Sequence, residues 1–211
     1  MKNILIATHN KAKLKRYQEL FADIAGLKLV TLEELDITLK ADEPFSTPDR
    51  NSAYKAKTYG ELSQLPTIAI DEAVKTNFLP DHEQPGVFVR RFRKGTELSD
   101  SEVLNVWREI FAAYPAPNRQ FIWDFSLSYY DPKNGETKTV QAVQKNSISE
   151  KFSDIIDPGY PMSSFLIPEG HTRPSSELSQ TERLRADQNR LKAFWEFIKN
   201  IIDPENNQKS Q

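Results

Sequence analysis

The apolar pattern opens with a short run, Ile4-Leu5-Ile6-Ala7, that breaks into the polar stretch Thr8-His9-Asn10-Lys11 and then changes period. Leu14, Tyr17, Leu20 and Phe21 fall at helical spacing, which predicts a buried strand turning directly into a helix. Gly26 reads as the helix stop before a second strand over 27–32. Residues 33–47 are acidic and broken, and Thr47-Pro48 offers a hydroxyl cap and a first-turn proline for a helix over 49–62. A third apolar run over 65–70 predicts a strand ending at Asp71-Glu72, so two strands finish in polar positions at one sheet edge.

Further along, 75–99 reads as irregular, with Pro80, Pro85, Gly86 and Gly95 around a basic cluster from Arg90 to Lys94. That cluster reads as a solvated or dimer-facing loop. Val103, Val106, Trp107, Ile110 and Phe111 line one face of a helix over 99–114. Strands over 120–130 and 137–143 flank Asp131-Pro132-Lys133-Asn134-Gly135-Glu136, a turn with the required glycine, and predict an antiparallel hairpin. Phe121, Trp123 and Phe125 alternate there, so at least one face is buried. After another irregular stretch and a short run over 165–167, one long helix over 179–202 carries the stripe Leu184, Leu191, Phe194, Trp195, Ile198 and Ile202. Trp107 and Trp195 read as core. The expected fold class is α/β: residues 1–203 as one domain in two lobes, a mixed, twisted sheet flanked by helices with a second antiparallel lobe. The active cleft is expected between the lobes, and 204–211 as a frayed tail.

Composition narrows the options. The 211 residues are 38% hydrophobic and 27% charged with a net charge of −2, so no global field draws the chain to nucleic acid or anionic lipid. Any polyanion must be held by a local pocket. The absence of cysteine excludes disulfides, thiolate metal sites and cysteine nucleophiles. No run approaches a membrane span or a signal-peptide core, and a cytoplasmic globular protein is the expectation.

Candidate chemistry collects in the first half. Thr8, His9 and Asn10 can cap the first helix, whose amides attract anions, and Lys11 and Lys13 add positive charge there. The turn is either a phosphate grip or an ordinary connection with solvated lysines. Glu43, Lys55 and Asp71 supply what hydrolysis of a nucleoside triphosphate needs: a cation for the phosphates, carboxylates for magnesium, and a group that orients water. His9 is either a cap or a catalyst. His82 and His171 lie in polar loops with no second ligand at metal spacing.

These residues resemble the inosine triphosphate pyrophosphatase family, whose members act on inosine and xanthosine triphosphates and their deoxy forms. Thr8-His9-Asn10-Lys11-Ala12-Lys13 resembles the family's Thr-Gly-Asn-x-x-Lys, with His9 replacing glycine. Glu43, Thr47, Asn51, Lys55 and Ala56 match its next segment. Ala69-Ile70-Asp71-Glu72-Ala73-Val74 stands where the family has Ala-Asp-Asp-Ser-Gly-Leu, and Pro85-Gly86-Val87-Phe88-Val89-Arg90-Arg91-Phe92 resembles Pro-Gly-Val-Tyr-Ser-Ala-Arg-Tyr. The later half departs: Gly159-Tyr160-Pro161-Met162-Ser163-Ser164 replaces Gly-Phe-Gly-Tyr-Asp-Pro, Glu182-Arg183 replaces Glu-Lys, and Gln188-Asn189-Arg190 replaces Ser-His-Arg.

The resemblance implies a magnesium-dependent pyrophosphohydrolase that converts a nucleoside triphosphate to its monophosphate and pyrophosphate. It implies Asp71, Lys13 and Lys55 as catalytic residues and Thr8, Asn10, Lys13 and Lys55 on the phosphates, with His9 beside them as a substrate-binding residue. On the nucleoside side it implies Tyr160, Arg183 and Arg190, with Tyr160 either stacking on the base or simply packing. Glu43 and Asp71 are the implied magnesium ligands, and Glu72 either joins them or crowds the site. The implied partners are a small-molecule nucleotide and a second copy in a homodimer, with no nucleic acid and no membrane. Phosphate and metal residues are kept while base-reading residues are replaced, so a shifted base preference is expected. The alternatives are a catalytically weak or inactive relative that binds a nucleotide or a protein as a regulator, and a hydrolase of the same superfamily acting on pyrimidine or modified nucleotides.

Overall fold

The computed structural model describes residues 1–92 and 95–203, with the backbone alone at Asn189 and Arg190. Arg93 and Lys94 of the basic run, and the tail expected over 204–211, lie outside the described residues.

Strand β1 (Lys2–Ile6) is the apolar opening run, with Ile4, Leu5 and Ile6 fully buried. It pairs in parallel with β2 (Leu27–Thr31) on one side and β3 (Thr67–Thr76) on the other. Helix α1 (Lys11–Leu20) links β1 to β2, and α2 (Pro48–Ser63) links β2 to β3. The first crossover moves one way from β1 and the second passes back across it. Right-handed connections therefore put α1 and α2 on opposite faces of these strands.

The chain continues through α3 (Asp100–Ala113), β4 (Gln120–Asp131), β5 (Glu136–Ile148), β6 (Leu166–Pro168), α4 (Gln180–Arg190) and α5 (Lys192–Ile202). The sheet runs in the order β2-β1-β3-β4-β5-β6. β6 is antiparallel to β5, so the sheet is mixed, as expected of this α/β fold. The β4–β5 turn uses Gly135 at a φ of 71°, a left-handed conformation that glycine adopts without strain.

Two compact units divide the chain. The first holds residues 1–72, 125–142 and those from 187 on; the second holds 73–124 and 143–186. In the first unit, Tyr17 packs between Phe21 and Phe194, with centroids 6.1 and 6.4 Å away. A separate cluster joins Leu5, Ala7, Leu32, Ala56, Tyr59, Ala69 and Tyr130. In the second unit Trp107 is the centre, with Phe121 at 4.6 Å and Phe92 at 5.5 Å. α3 starts on the capping box of Ser99 and Glu102 and buries Val103, Leu104, Val106, Trp107 and Ile110.

Several expectations change. β3 does not end at Asp71 but runs on to Thr76, because partners from two helices make both buried acids tolerable. The long C-terminal helix is two helices, broken at Leu191 (φ −103°, ψ 17°), and the bend lets Leu191, Phe194 and Ile198 bury fully. Trp195 is only half-buried, and its indole N–H donates to Asp23 at 2.8 Å. Gly26 is not the stop of α1, which closes at Phe21; at φ 83° it makes the turn into β2. Thr47 precedes α2 without a side-chain capping bond. Arg90 is no solvated loop residue: it pairs with Asp100 at 2.7 Å and donates to the Gly159 carbonyl at 3.1 Å.

Candidate active site

β1 pairs with β3 as far as Ile6 and Ile68, after which the Ala7 N–H reaches the Ile68 carbonyl at 2.8 Å. The chain then leaves the sheet through Thr8, His9 and Asn10 while β3 continues. Asn10 caps α1, its Oδ1 accepting from the amides of Ala12 at 2.9 Å and Lys13 at 3.1 Å. Thr8 Oγ1 accepts from the Asn10 amide at 3.2 Å. Two amides that an anion could have used are thus taken by Asn10. His9 is exposed, with Nε2 2.8 Å from the Leu39 carbonyl oxygen and its ring edge-on to Tyr59.

Lys55 is the centre of the site. It stands on α2, where its long side chain reaches back across β3, and its Nζ donates to Glu43 Oε1 at 2.8 Å, Asp71 Oδ1 at 3.0 Å and the Ile70 carbonyl at 3.1 Å. Asn51, one turn earlier and fully buried, donates to Asp71 Oδ2 at 3.1 Å. The same amide exchanges two bonds with the backbone of Phe45, each 2.9 Å, which fixes the segment carrying Glu43. Asp71 is 5% exposed, whereas the Glu43 side chain keeps 37% of its surface. Burial pushes the Asp71 carboxyl above its ordinary pKa; Lys55 and Lys13 pull it back and Glu43 raises it further. A carboxylate so placed is a better proton acceptor than an exposed one.

Glu72 follows on β3 and points to the other face. There it pairs with Lys13 at 3.5 Å and Arg16 at 3.8 Å, and Arg16 reaches Asp187 at 3.6 Å. Lys13, expected on the phosphates, is therefore ion-paired, and Glu72 faces α1 while Asp71 faces α2.

Tyr160 and Arg183, expected on the nucleoside side, lie in the second unit, and the side chain of Arg190 is outside the described residues. Arg183 is committed to protein groups: two bonds to Asp157 at 2.8 and 2.9 Å, one to the Leu178 carbonyl at 3.0 Å and one to the Ser176 carbonyl at 2.5 Å. It anchors the turn in which the Tyr160 amide donates to the Asp157 carbonyl at 2.9 Å. Asp100 and Arg90 hold Gly159 from its amide and its carbonyl. Met162 is core. Ser163 is 7% exposed, and its hydroxyl has no hydrogen-bond partner among the described residues.

With this arrangement in place, comparison with known proteins is decisive. The Ham1 family profile matches residues 4–200. The chain belongs to the Ham1 family. A dITP/XTP pyrophosphatase of Gluconobacter oxydans is 28% identical over 200 residues, covering 95% of this chain and 91% of that protein. One from Leptospira interrogans is 25% identical over 198 residues, covering 94% and 96%. Among solved structures, a HAM1 protein from Coxiella burnetii aligns with a TM-score of 0.76 at 22% identity, covering 94% of this chain and 98% of its own. A nucleoside-triphosphatase / dITP/XTP pyrophosphatase from Mycobacterium abscessus aligns with a TM-score of 0.68 at 20% identity, covering 91% and 97%. These likenesses fix the fold.

Ham1 membership agrees with the family resemblance carried by the first-half motifs. Two residues of the cluster had been given no role. Asn51 sat in a matched motif, and its spacing of one helical turn from Lys55 was the available signal. Arg16 lies one turn after Lys13, but only the position of Glu72 reveals what it does.

Proposed function

We propose that the chain is a nucleoside triphosphate pyrophosphohydrolase that cleaves the anhydride between the α and β phosphates. Water bonds to phosphorus, the anhydride oxygen leaves on pyrophosphate with the bonding pair, and the water's proton passes to Asp71. The observation that carries this reading is the Lys55 ammonium held between Glu43 and Asp71. The names of the relatives, dITP/XTP pyrophosphatase, support the same reaction. Lys55 and Lys13 then offset charge on the phosphates and keep the leaving pyrophosphate bound.

Magnesium is the metal this reading requires, and Glu43 and Asp71 would hold it. Two hard oxygen donors already share one cation there, and magnesium takes one or two carboxylates beside water and phosphate oxygens. Among the described residues no three carboxylate or imidazole groups are grouped to hold a metal without such help. When bound, the ion would supply charge stabilisation to the phosphates. Thr8, Asn10 and His9 belong to the same proposal as phosphate-side contacts, and Tyr160 as the surface under the base. Met162 and Ser163 replace an aromatic and an aspartate of the family, which supports a base preference shifted from inosine and xanthosine. A homodimer in the cytosol completes the reading. No helix among the described residues is long and apolar enough to cross a membrane.

The test is incubation with magnesium and a panel of natural and modified triphosphates, measuring pyrophosphate against orthophosphate. We expect pyrophosphate release that Asp71→Asn reduces at least 100-fold, on the order of losing a positioned general base. Orthophosphate as the product, or undiminished release by the variant, sinks the assignment.

A further inference from the structure

Glu72 has no part in the reaction just described, yet it is the most enclosed member of a four-charge chain. Its side chain is 6% exposed, against 19% for Lys13 and Arg16 and 24% for Asp187. Lys13 and Arg16 are three residues apart on α1, on one face, and both turn to this single carboxylate. The motif that residues 69–74 resemble has serine at this position, where this chain carries an acid.

We propose that Glu72 is a built-in substitute for phosphate: it holds Lys13 while no nucleotide is bound and is exchanged for a phosphate oxygen when one arrives. The proposal rests on Lys13 being a phosphate ligand. Removing the only partner of a buried carboxylate is strongly unfavourable. Arg16 answers that difficulty, because it keeps Glu72 compensated after Lys13 turns away, and Asp187 keeps Arg16 in place. The exchange costs affinity: any phosphate that takes Lys13 must do so against Glu72.

The experiment is calorimetric titration of the full chain with inorganic tripolyphosphate in the presence of a chelator, for wild type, Glu72→Gln, Glu72→Ser and Lys13→Ala. Removing the competing charge should tighten tripolyphosphate binding about three- to tenfold, the scale of one partly buried ion pair. Lys13→Ala should weaken it. With nucleotide and magnesium, KM should fall in Glu72→Gln by a similar factor and by more than kcat changes. The serine variant serves if glutamine does not fold. Unchanged or weaker binding in both Glu72 variants, with Lys13→Ala still weakened, overturns the exchange and leaves the hydrolase reading standing. A higher magnesium requirement in Glu72→Gln also overturns it, because Glu72 would then be a metal ligand. Unchanged binding in Lys13→Ala removes Lys13 from the site and overturns the exchange, while the release assay decides the reaction by itself.

Discussion

At the scale of single residues, Asn51 ties the site together. Its one amide group satisfies the amide and carbonyl of Phe45 and also orients Asp71. Asn51→Ala leaves three fully or partly buried polar groups without it, and we expect a loss of about 2 kcal/mol in urea unfolding. The same variant should lower kcat more than it raises KM, because Asp71 loses its fixed orientation while the phosphate cations remain. An equal change in both would mean Asn51 acts on the fold alone. Lys55, Glu43 and Asp71 were singled out by the motifs that resemble the family rather than by spacing alone, and the structure brings the three together. The partner of each charge was not legible. Asp71 and Glu72 look like a strand end because charges in a buried strand are costly. The groups that offset that cost lie on α1 and α2, far away in sequence.

At the scale of elements, α2 packs close to β4, and Gly60 permits it. A Cβ at position 60 would lie inside van der Waals contact of the Tyr130 ring, which is itself buried. Gly60→Ala should therefore destabilise the protein by about 1–3 kcal/mol despite the better helix propensity of alanine. A rise in the thermal midpoint would contradict this packing. Helix α4 begins on a second reciprocal cap, Ser179 with Glu182, backed by Arg173. The Ser179 amide and hydroxyl hold the Glu182 carboxyl at about 2, opposed by desolvation and assisted by Arg173, against an ordinary 4.5. A lowered carboxylate pKa stabilises above the ordinary value and loses that contribution as pH falls toward the folded one. The gap in thermal midpoint between wild type and Glu182→Gln should thus be full at pH 6 and close between pH 4.5 and about 2. Caps and periodicity made α3 legible to within a residue, whereas the break at Leu191 was not. A stripe of apolar residues does not record a local change of φ and ψ such as that at Leu191.

At the scale of the whole molecule, a net charge of −2 leaves recognition of the proposed polyphosphate to local cations such as Lys13 and Lys55. The proposed homodimer predicts a solution mass twice the 24.3 kDa of the chain by light scattering, and a monomer mass would remove that part of the reading. The parallel β1–β3 arrangement was legible because apolar runs alternate with helical patterns. Two lobes were expected, but which residues make up each unit was not legible, since β3, β4 and β5 each contribute to both. That places unusual demands on β3. Nearly all of it is buried on both faces, and Ile68, Ala69, Ile70, Ala73 and Val74 would suit either side. Apolar patterning alone is blind to a one-residue slip of such a strand. The adjacent acids remove the ambiguity. Slipping by one would turn Asp71 toward α1 and Glu72 toward α2, breaking the ion pairs of both acids at once. The charges of the candidate active site thus also act as the alignment mark by which the central strand finds its one position.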